Sequence, residues 1–159
     1  MSGLTVWRLC GEKYADTAFS GLGAKLYGGR WSPPGAAITY CSESRALAAL
    51  EVLAQVDDGT RLGGRRWVCI SALVPDDLVE RPERVPAPWR QYPHTPGTPA
   101  FGAEWVRTAR SAALRVPSAL VPGEFNYLLN PAHPEFPRVK LRRPAPFFFD
   151  QRLVAKARE

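Results

Sequence analysis

Residues 28–54 read GGRWSPPGAAITYCSESRALAALEVLA. The stretch opens on Gly28-Gly29 and turns at Pro33-Pro34-Gly35. It continues as a short apolar strand, AAITYC, over 36–41. A helix is expected from Glu43 to Gln55, capped by the Ser42 hydroxyl, with Ala46, Leu47, Leu50 and Leu53 on one face. Three residues stand apart from a plain core element: Arg30 before Trp31, Tyr40 at the end of the strand, and Glu51 on the helix. Glu51 lies one turn after Leu47, so it flanks the apolar stripe instead of sharing the wet face with Arg45. On its own it reads as an ordinary boundary glutamate. With Arg30 and Tyr40 it forms a set suited to an anionic, ring-bearing ligand.

Working outward, the chain of 159 residues reads as a single domain, 1–159, with room for a core that needs no disulfide or metal staple. Its 16 prolines favour long loops and short elements over a helical bundle. The formal net charge of +6 suits an acidic partner or polyanion. The basic residues are scattered, however. The densest group, Arg138, Lys140, Arg142 and Arg143, alternates with Val139 and Leu141 as a strand with one wet face would. Dedicated nucleic-acid proteins concentrate their charge more, so no direct nucleic-acid contact is expected. Cys10, Cys41 and Cys69 are far apart and lie in apolar runs, as reduced, buried thiols do. The start, MSGLTVWRLC, lacks a basic segment followed by a long apolar one. No apolar run reaches bilayer-spanning length, so a cytoplasmic protein without a membrane partner is expected.

Before the central stretch, LTVWRLC over 4–10 reads as a strand containing Arg8. That arginine either faces water from an edge strand or is buried and paired with an anion. A short helix is expected over Glu12–Phe19, then a flexible glycine segment over 21–29. After it, Asp57–Arg66 reads as a polar turn and WVCISALV over 67–74 as a strand. Pro75–Thr98 is a proline-rich loop anchored by Trp89. Thr98-Pro99 signals a helix start, with the helix running to Ala112 and burying Phe101, Trp105 and Ala109. Strands follow over 113–116, 139–141 and 146–149, and FNYLLNP over 125–131 ends in a turn. Ser118 reads as a turn serine bonded to backbone. Asp150 is placed to cap a last helix.

His94 and His133 lie in proline-rich loops away from any cysteine pair or HExxH, so no metal site is expected. There is no GxSxG elbow, no phosphate-loop fingerprint and no glycosidase-like pair of carboxylates.

GGRWSPPGAAITYCSESRALAALEVL resembles the opening signature of the RES-domain family, toxin components of bacterial toxin–antitoxin pairs. VPSALVPGEFNYLLNPAHP and PFFFDQRL resemble two later blocks of the same family in the expected order. The arginine, glutamate and serine for which the family is named match Arg30, Glu51 and Ser118. One departure is Ser32, where the family pattern has asparagine. The resemblance implies an α+β fold similar to diphtheria-toxin-type ADP-ribosyltransferases, a split, mostly antiparallel β core flanked by helices. It implies cleavage of the nicotinamide–ribose bond of NAD by phosphorolysis or hydrolysis, or transfer of ADP-ribose to a protein. It also implies a cognate helix-turn-helix antitoxin over the active site.

The residue chemistry agrees with that implication. Nicotinamide leaves as a neutral group, so one carboxylate suffices and no general acid is needed. Catalytic roles are expected for Arg30, Tyr40 and Glu51. NAD binding is expected from Arg8, Arg30, Tyr40, Ser118 and Asn126, with NAD as substrate, no prosthetic group, and inorganic phosphate as a possible acceptor. Glu51 would stabilise positive charge developing at the ribose, Tyr40 would pack on a ring, and Arg30 or Arg8 would pair with the pyrophosphate. The contrasting expectation, drawn from the net charge alone, is a non-enzymatic nucleic-acid or protein-binding module with salt-dependent binding.

Overall fold

The computed structural model describes residues 2–56 and 62–156. Eight strands form among these residues: β1 (Gly3–Gly11), β2 (Thr39–Ser42), β3 (Trp67–Pro75), β4 (Val79–Glu80), β5 (Ala113–Pro117), β6 (Phe125–Leu129), β7 (Lys140–Leu141) and β8 (Ala145–Phe147). They join in the order β4-β5-β6-β2-β1-β3-β7, and β8 also pairs with β3. Every pairing is antiparallel except β4 with β5. The helices are α1 (Leu22–Tyr27), α2 (Arg45–Gln55), α3 (Gly97–Thr108) and α4 (Gln151–Lys156). The fold is α+β, as expected.

The sheet is unevenly stitched. β1 and β3 are in register over the whole of β1, from Gly3 opposite Pro75 to Gly11 opposite Trp67. β1 and β2 share only the pair Trp7–Ser42. One block, β4-β5-β6-β2, therefore meets the other, β1-β3 with β7 and β8, at a seam with almost no ladder. The two blocks remain parts of one continuous, mostly antiparallel sheet.

Apolar packing does at the seam what backbone hydrogen bonds do elsewhere. Val6, Ile70 and Val74 from one block pack in a single cluster with Cys41, Ala113, Tyr127 and Leu129 from the other. Burying each large aliphatic side chain is worth about 1.5–3 kcal/mol, so several of them outweigh a missing ladder. Each block also carries its own helix layer. Leu9, Trp67 and Cys69 lie under Ala48 and Val52 of α2 and Val154 of α4. Trp31, Ile38, Leu114, Val116 and Leu128 lie under Trp105 and Phe101 of α3.

Several local expectations change. The cap of α2 is Ser44, whose hydroxyl accepts from the Leu47 N–H at 3.0 Å, so the helix starts at Arg45 and not Glu43. Ser42 is instead the last residue of β2, because its backbone pairs with neighbours on both sides. The expected helix over Glu12–Phe19 is a 3₁₀ turn over Glu12–Thr17. The glycine segment contains the short helix α1 between Gly21 and Gly28, whose positive φ values begin and end it. α3 starts at Gly97 after Pro96, and the Thr98 hydroxyl is buried without a partner instead of capping. The helix ends at Thr108, and exposed Ala109 turns left-handed at φ 49° instead of packing. β2 spans only Thr39–Ser42 of the expected 36–41 run. The polar turn expected over Asp57–Arg66 lies partly outside the described residues. Asp150 caps α4 as expected, its carboxylate accepting from the Arg152 N–H at 2.8 Å. All three cysteines are buried and free of disulfides.

α3 sits so close to the Gly28–Ala54 stretch that a methyl group on Gly102 would overlap the Trp31 carbonyl oxygen. Trp31 itself is enclosed between Trp89, 6.3 Å away and stacked, and Phe101, 6.0 Å away and edge-on. A glycine-to-alanine change inside an exposed helix normally stabilises by about 1 kcal/mol. Here the sign reverses: Gly102→Ala is expected to destabilise by about 1–3 kcal/mol through overpacking. Thermal unfolding of the two proteins measures this, and a variant with a raised Tm would show that α3 does not press on Trp31.

Candidate active site

The seam opens into a cleft of about 160 Å³. β1 supplies Arg8, β2 Tyr40 and Ser42, α2 Glu51 and Gln55, and β6 Asn126. Four elements thus converge where the ladder between β1 and β2 is missing.

Arg8 crosses the gap. Its Nη1 donates to the Tyr40 carbonyl at 2.9 Å. Its Nε is buried and has no acceptor. Among the described residues it takes part in no ion pair. β1 is an interior strand, so the edge-strand reading of Arg8 does not hold. A half-buried cation with one unmatched N–H is suited to an anion brought from outside.

Glu51 reaches the cleft from the second turn of α2, because Leu47 and Ala48 one turn earlier are buried and fix that face. Its Oε1 accepts from Asn126 Nδ2 at 2.8 Å. Asn126 Oδ1 in turn accepts from the Ser42 hydroxyl at 2.8 Å. The carboxylate is held by an amide that is itself held.

Tyr40 lines the cleft while its hydroxyl is engaged on the far side. That oxygen accepts from the Trp31 N–H at 3.2 Å and shares a hydrogen with the Ser32 hydroxyl at 2.7 Å. Gly29 makes this possible, since a Cβ there would lie 2.7 Å from the phenol oxygen. Burial pushes the Tyr40 phenol up to about 12, against the two hydrogen bonds, which lower it. Burial also pushes the neighbouring Cys41 thiol up to about 12, against the pull of the Arg8 charge.

Arg8, Tyr40, Glu51 and Asn126 are therefore together, whereas Arg30 and Ser118 lie outside the lining of the cleft. Arg30 Nη1 donates to the carbonyls of Trp89 at 2.7 Å and Gln91 at 2.9 Å, tying the proline-rich loop to the turn before Trp31. The buried Ser118 hydroxyl accepts from the N–H groups of Leu120 and Val121, both at 3.1 Å, and so shapes the connection from β5 to β6. That is the turn-serine role. Sequence reasoning missed Ser42 and Gln55 as cleft residues. Their spacing carried a signal: Gln55 is one helical turn beyond Glu51, and Ser42 is two strand positions beyond Tyr40. Among the described residues, no group of three His, Cys, Asp or Glu side chains is placed to hold a metal ion. No described helix is long and apolar enough to cross a membrane.

Residues 5–150 match the RES domain family. The chain belongs to that family. A "Prs ADP-ribosylating toxin" of Sphingobium sp. is 38% identical over 158 residues, covering 95% of this chain and 97% of that protein. A "Toxin Res" of Yersinia enterocolitica is 35% identical over 151 residues, covering 94% and 99%. A "Toxin Res" of Photorhabdus laumondii is 36% identical over 154 residues, covering 95% and 97%. The fold is shared with a chain in the crystal structure of the M. tuberculosis MbcT–MbcA toxin–antitoxin complex, with a TM-score of 0.71, 19% identity, and coverage of 99% of this chain and 90% of that one.

The buried phenol and thiol make a prediction about pH. Both are neutral when protonated, and the folded state holds their protons more tightly than the unfolded chain. Their contribution is full below the unfolded values, 9.0 for the thiol and 10.0 for the phenol, and is lost as pH rises toward 12. Urea midpoints should be level up to about pH 8 and fall steadily by about pH 11. Cys41→Ala should flatten part of that fall, and an unchanged slope in this variant would remove Cys41 as a cause.

Proposed function

We propose that this protein is the NAD-consuming toxin of a toxin–antitoxin pair and that the seam cleft is where NAD reacts. The observation that carries the reading is the joint presence of an unpaired, half-buried Arg8 and an amide-held Glu51 in one cleft. The relatives' names, toxin and ADP-ribosylating toxin, support it.

In the proposed reaction the bond between the ribose anomeric carbon and the nicotinamide nitrogen breaks, and its electron pair leaves with the now neutral nicotinamide. Positive charge develops at the ribose, and the Glu51 carboxylate stabilises it while accepting from a ribose hydroxyl. Tyr40 presents its ring to the nicotinamide–ribose end. Arg8, which lines the cleft and has no carboxylate partner among the described residues, pairs its guanidinium with the pyrophosphate. An acceptor oxygen then bonds to the anomeric carbon and gives up its proton. Phosphate, water or a protein side chain can fill that role. A cleft of about 160 Å³ is below the roughly 300–1,000 Å³ of a site that encloses a whole ligand, so the adenosine end extends outside it. Arg30 and Ser118 act through the loop and turn that they hold. The partner in this reading is a cognate helix-turn-helix antitoxin, and the reaction runs in the cytoplasm; that the structure sharing this fold is a toxin–antitoxin complex supports an antitoxin partner.

A second reading, favoured by the Sphingobium relative's name, is ADP-ribosyl transfer to a cellular protein.

The decisive experiment incubates antitoxin-free protein with NAD, with and without inorganic phosphate, and separates the products. A phosphorylated ADP-ribose formed only with phosphate identifies a phosphorylase, and free ADP-ribose in both identifies a hydrolase. Label from NAD remaining on protein identifies transfer. Glu51→Gln should lower NAD loss by about 10²- to 10³-fold with the fold intact. Full activity in that variant would sink the mechanism.

A further inference from the structure

The hydrogen-bond chain Ser42–Asn126–Glu51 has a fixed polarity. An ionised carboxylate only accepts, so Asn126 must turn its NH₂ toward Glu51. Its carbonyl oxygen then faces Ser42, and the Ser42 hydroxyl must donate. An asparagine amide has two nearly isosteric orientations. The reversed one would set Oδ1 against the carboxylate. Ser42 can accept as well as donate, so the carboxylate selects this orientation, and the Ser42 hydroxyl, donating to Oδ1 at 2.8 Å, holds the amide in place.

The position of Ser42 strengthens this. It lies opposite Asn126 in the β2–β6 ladder and opposite Trp7 in the only registered pair of the β1–β2 seam. It is buried. The backbone on which the lock is mounted is therefore held on both sides, at the point where the cleft begins.

We propose that Ser42 is a positioning residue, which holds the Asn126 amide in place and through it sets the Glu51 carboxylate for reaction. The proposal rests on Glu51 being the group that meets the ribose of NAD. Small misplacements of a reacting group are costly in rate, about 10²-fold per ångström at the upper end. The Ser42 hydroxyl therefore acts on kcat rather than on substrate affinity.

The test compares NAD turnover and thermal unfolding of Ser42→Ala and Ser42→Thr in the wild-type and Glu51→Gln backgrounds, with the Asn126 side-chain amide followed by NMR in ¹⁵N-labelled protein. Ser42→Ala is expected to lower kcat about tenfold or more, with little change in KM and a Tm near that of the parent. Ser42→Thr keeps the hydroxyl and should recover most of the loss. In the Glu51→Gln background Ser42→Ala should add no further loss. The Asn126 NH₂ resonances should move in Ser42→Ala and return in Ser42→Thr. Wild-type kcat in Ser42→Ala, an equal loss in Ser42→Thr, or a full further loss on top of Glu51→Gln would overturn the proposal. Unmoved Asn126 resonances would overturn it too. This last readout needs no turnover, so it decides on Ser42 even if wild-type protein leaves NAD intact, an outcome that would instead refute the proposed function.

Discussion

The Arg8–Tyr40 bridge is the contact on which the rest of the arrangement depends. β1 and β2 are adjacent in the sheet yet share one registered pair. Where a second ladder bond would otherwise close the gap, a guanidinium reaches across to the Tyr40 carbonyl. A cation replaces a backbone donor, and a closed sheet becomes a cleft with a charge in its wall. An apolar residue at position 8 would leave that carbonyl without its donor, at a cost of about 1–3 kcal/mol for a buried polar group. The apolar cluster shared by both blocks keeps them from separating further.

The two arginines near the cleft do different work. Arg8 lines the cleft, donates to the Tyr40 carbonyl and takes part in no ion pair among the described residues. Arg30 has its Nη1 engaged by two loop carbonyls, and Trp31 beside it stacks on Trp89 of the same loop. The turn before β2 and the proline-rich loop are thereby one body, pressed onto α3. Tyr40 reports on that body, because its phenol is bonded to Trp31 and Ser32 while the residue lines the cleft.

The polar side of the cleft is economical. A single carboxylate is hydrogen-bonded to one asparagine, which is bonded in turn to one serine, the three coming from α2, β6 and β2. Ser118 contributes one step further out, by shaping the turn that leads into β6 and hence Asn126. Departure of a neutral nicotinamide asks for charge stabilisation and no proton donor, which is compatible with so small a set of groups.

Much of this was legible in the chain. Short runs of apolar, β-branched and aromatic residues marked β1, β3 and β5, because such side chains suit a strand buried in a sheet. The turn and helix of residues 28–54 followed from proline, glycine and the helical pattern, but the expected face of Ala46, Leu47, Leu50 and Leu53 is rotated: Ala46 and Leu50 are exposed, and Leu47 and Ala48 are the buried pair, which turns Glu51 toward the cleft. What spacing could not reveal was which side chains consume one another. Arg30 and Ser118 look like ligand groups until distant carbonyls and amides occupy them, and Ser42 looks like a helix cap until it faces Asn126, 84 residues away. Arg8 was ambiguous between water and an anion because strand order, not strand sequence, places β1 inside the sheet. Local periodicity determines elements, since each obeys its own backbone geometry. The cleft belongs to tertiary structure alone, since it exists only where two strands fail to pair and four separate segments meet.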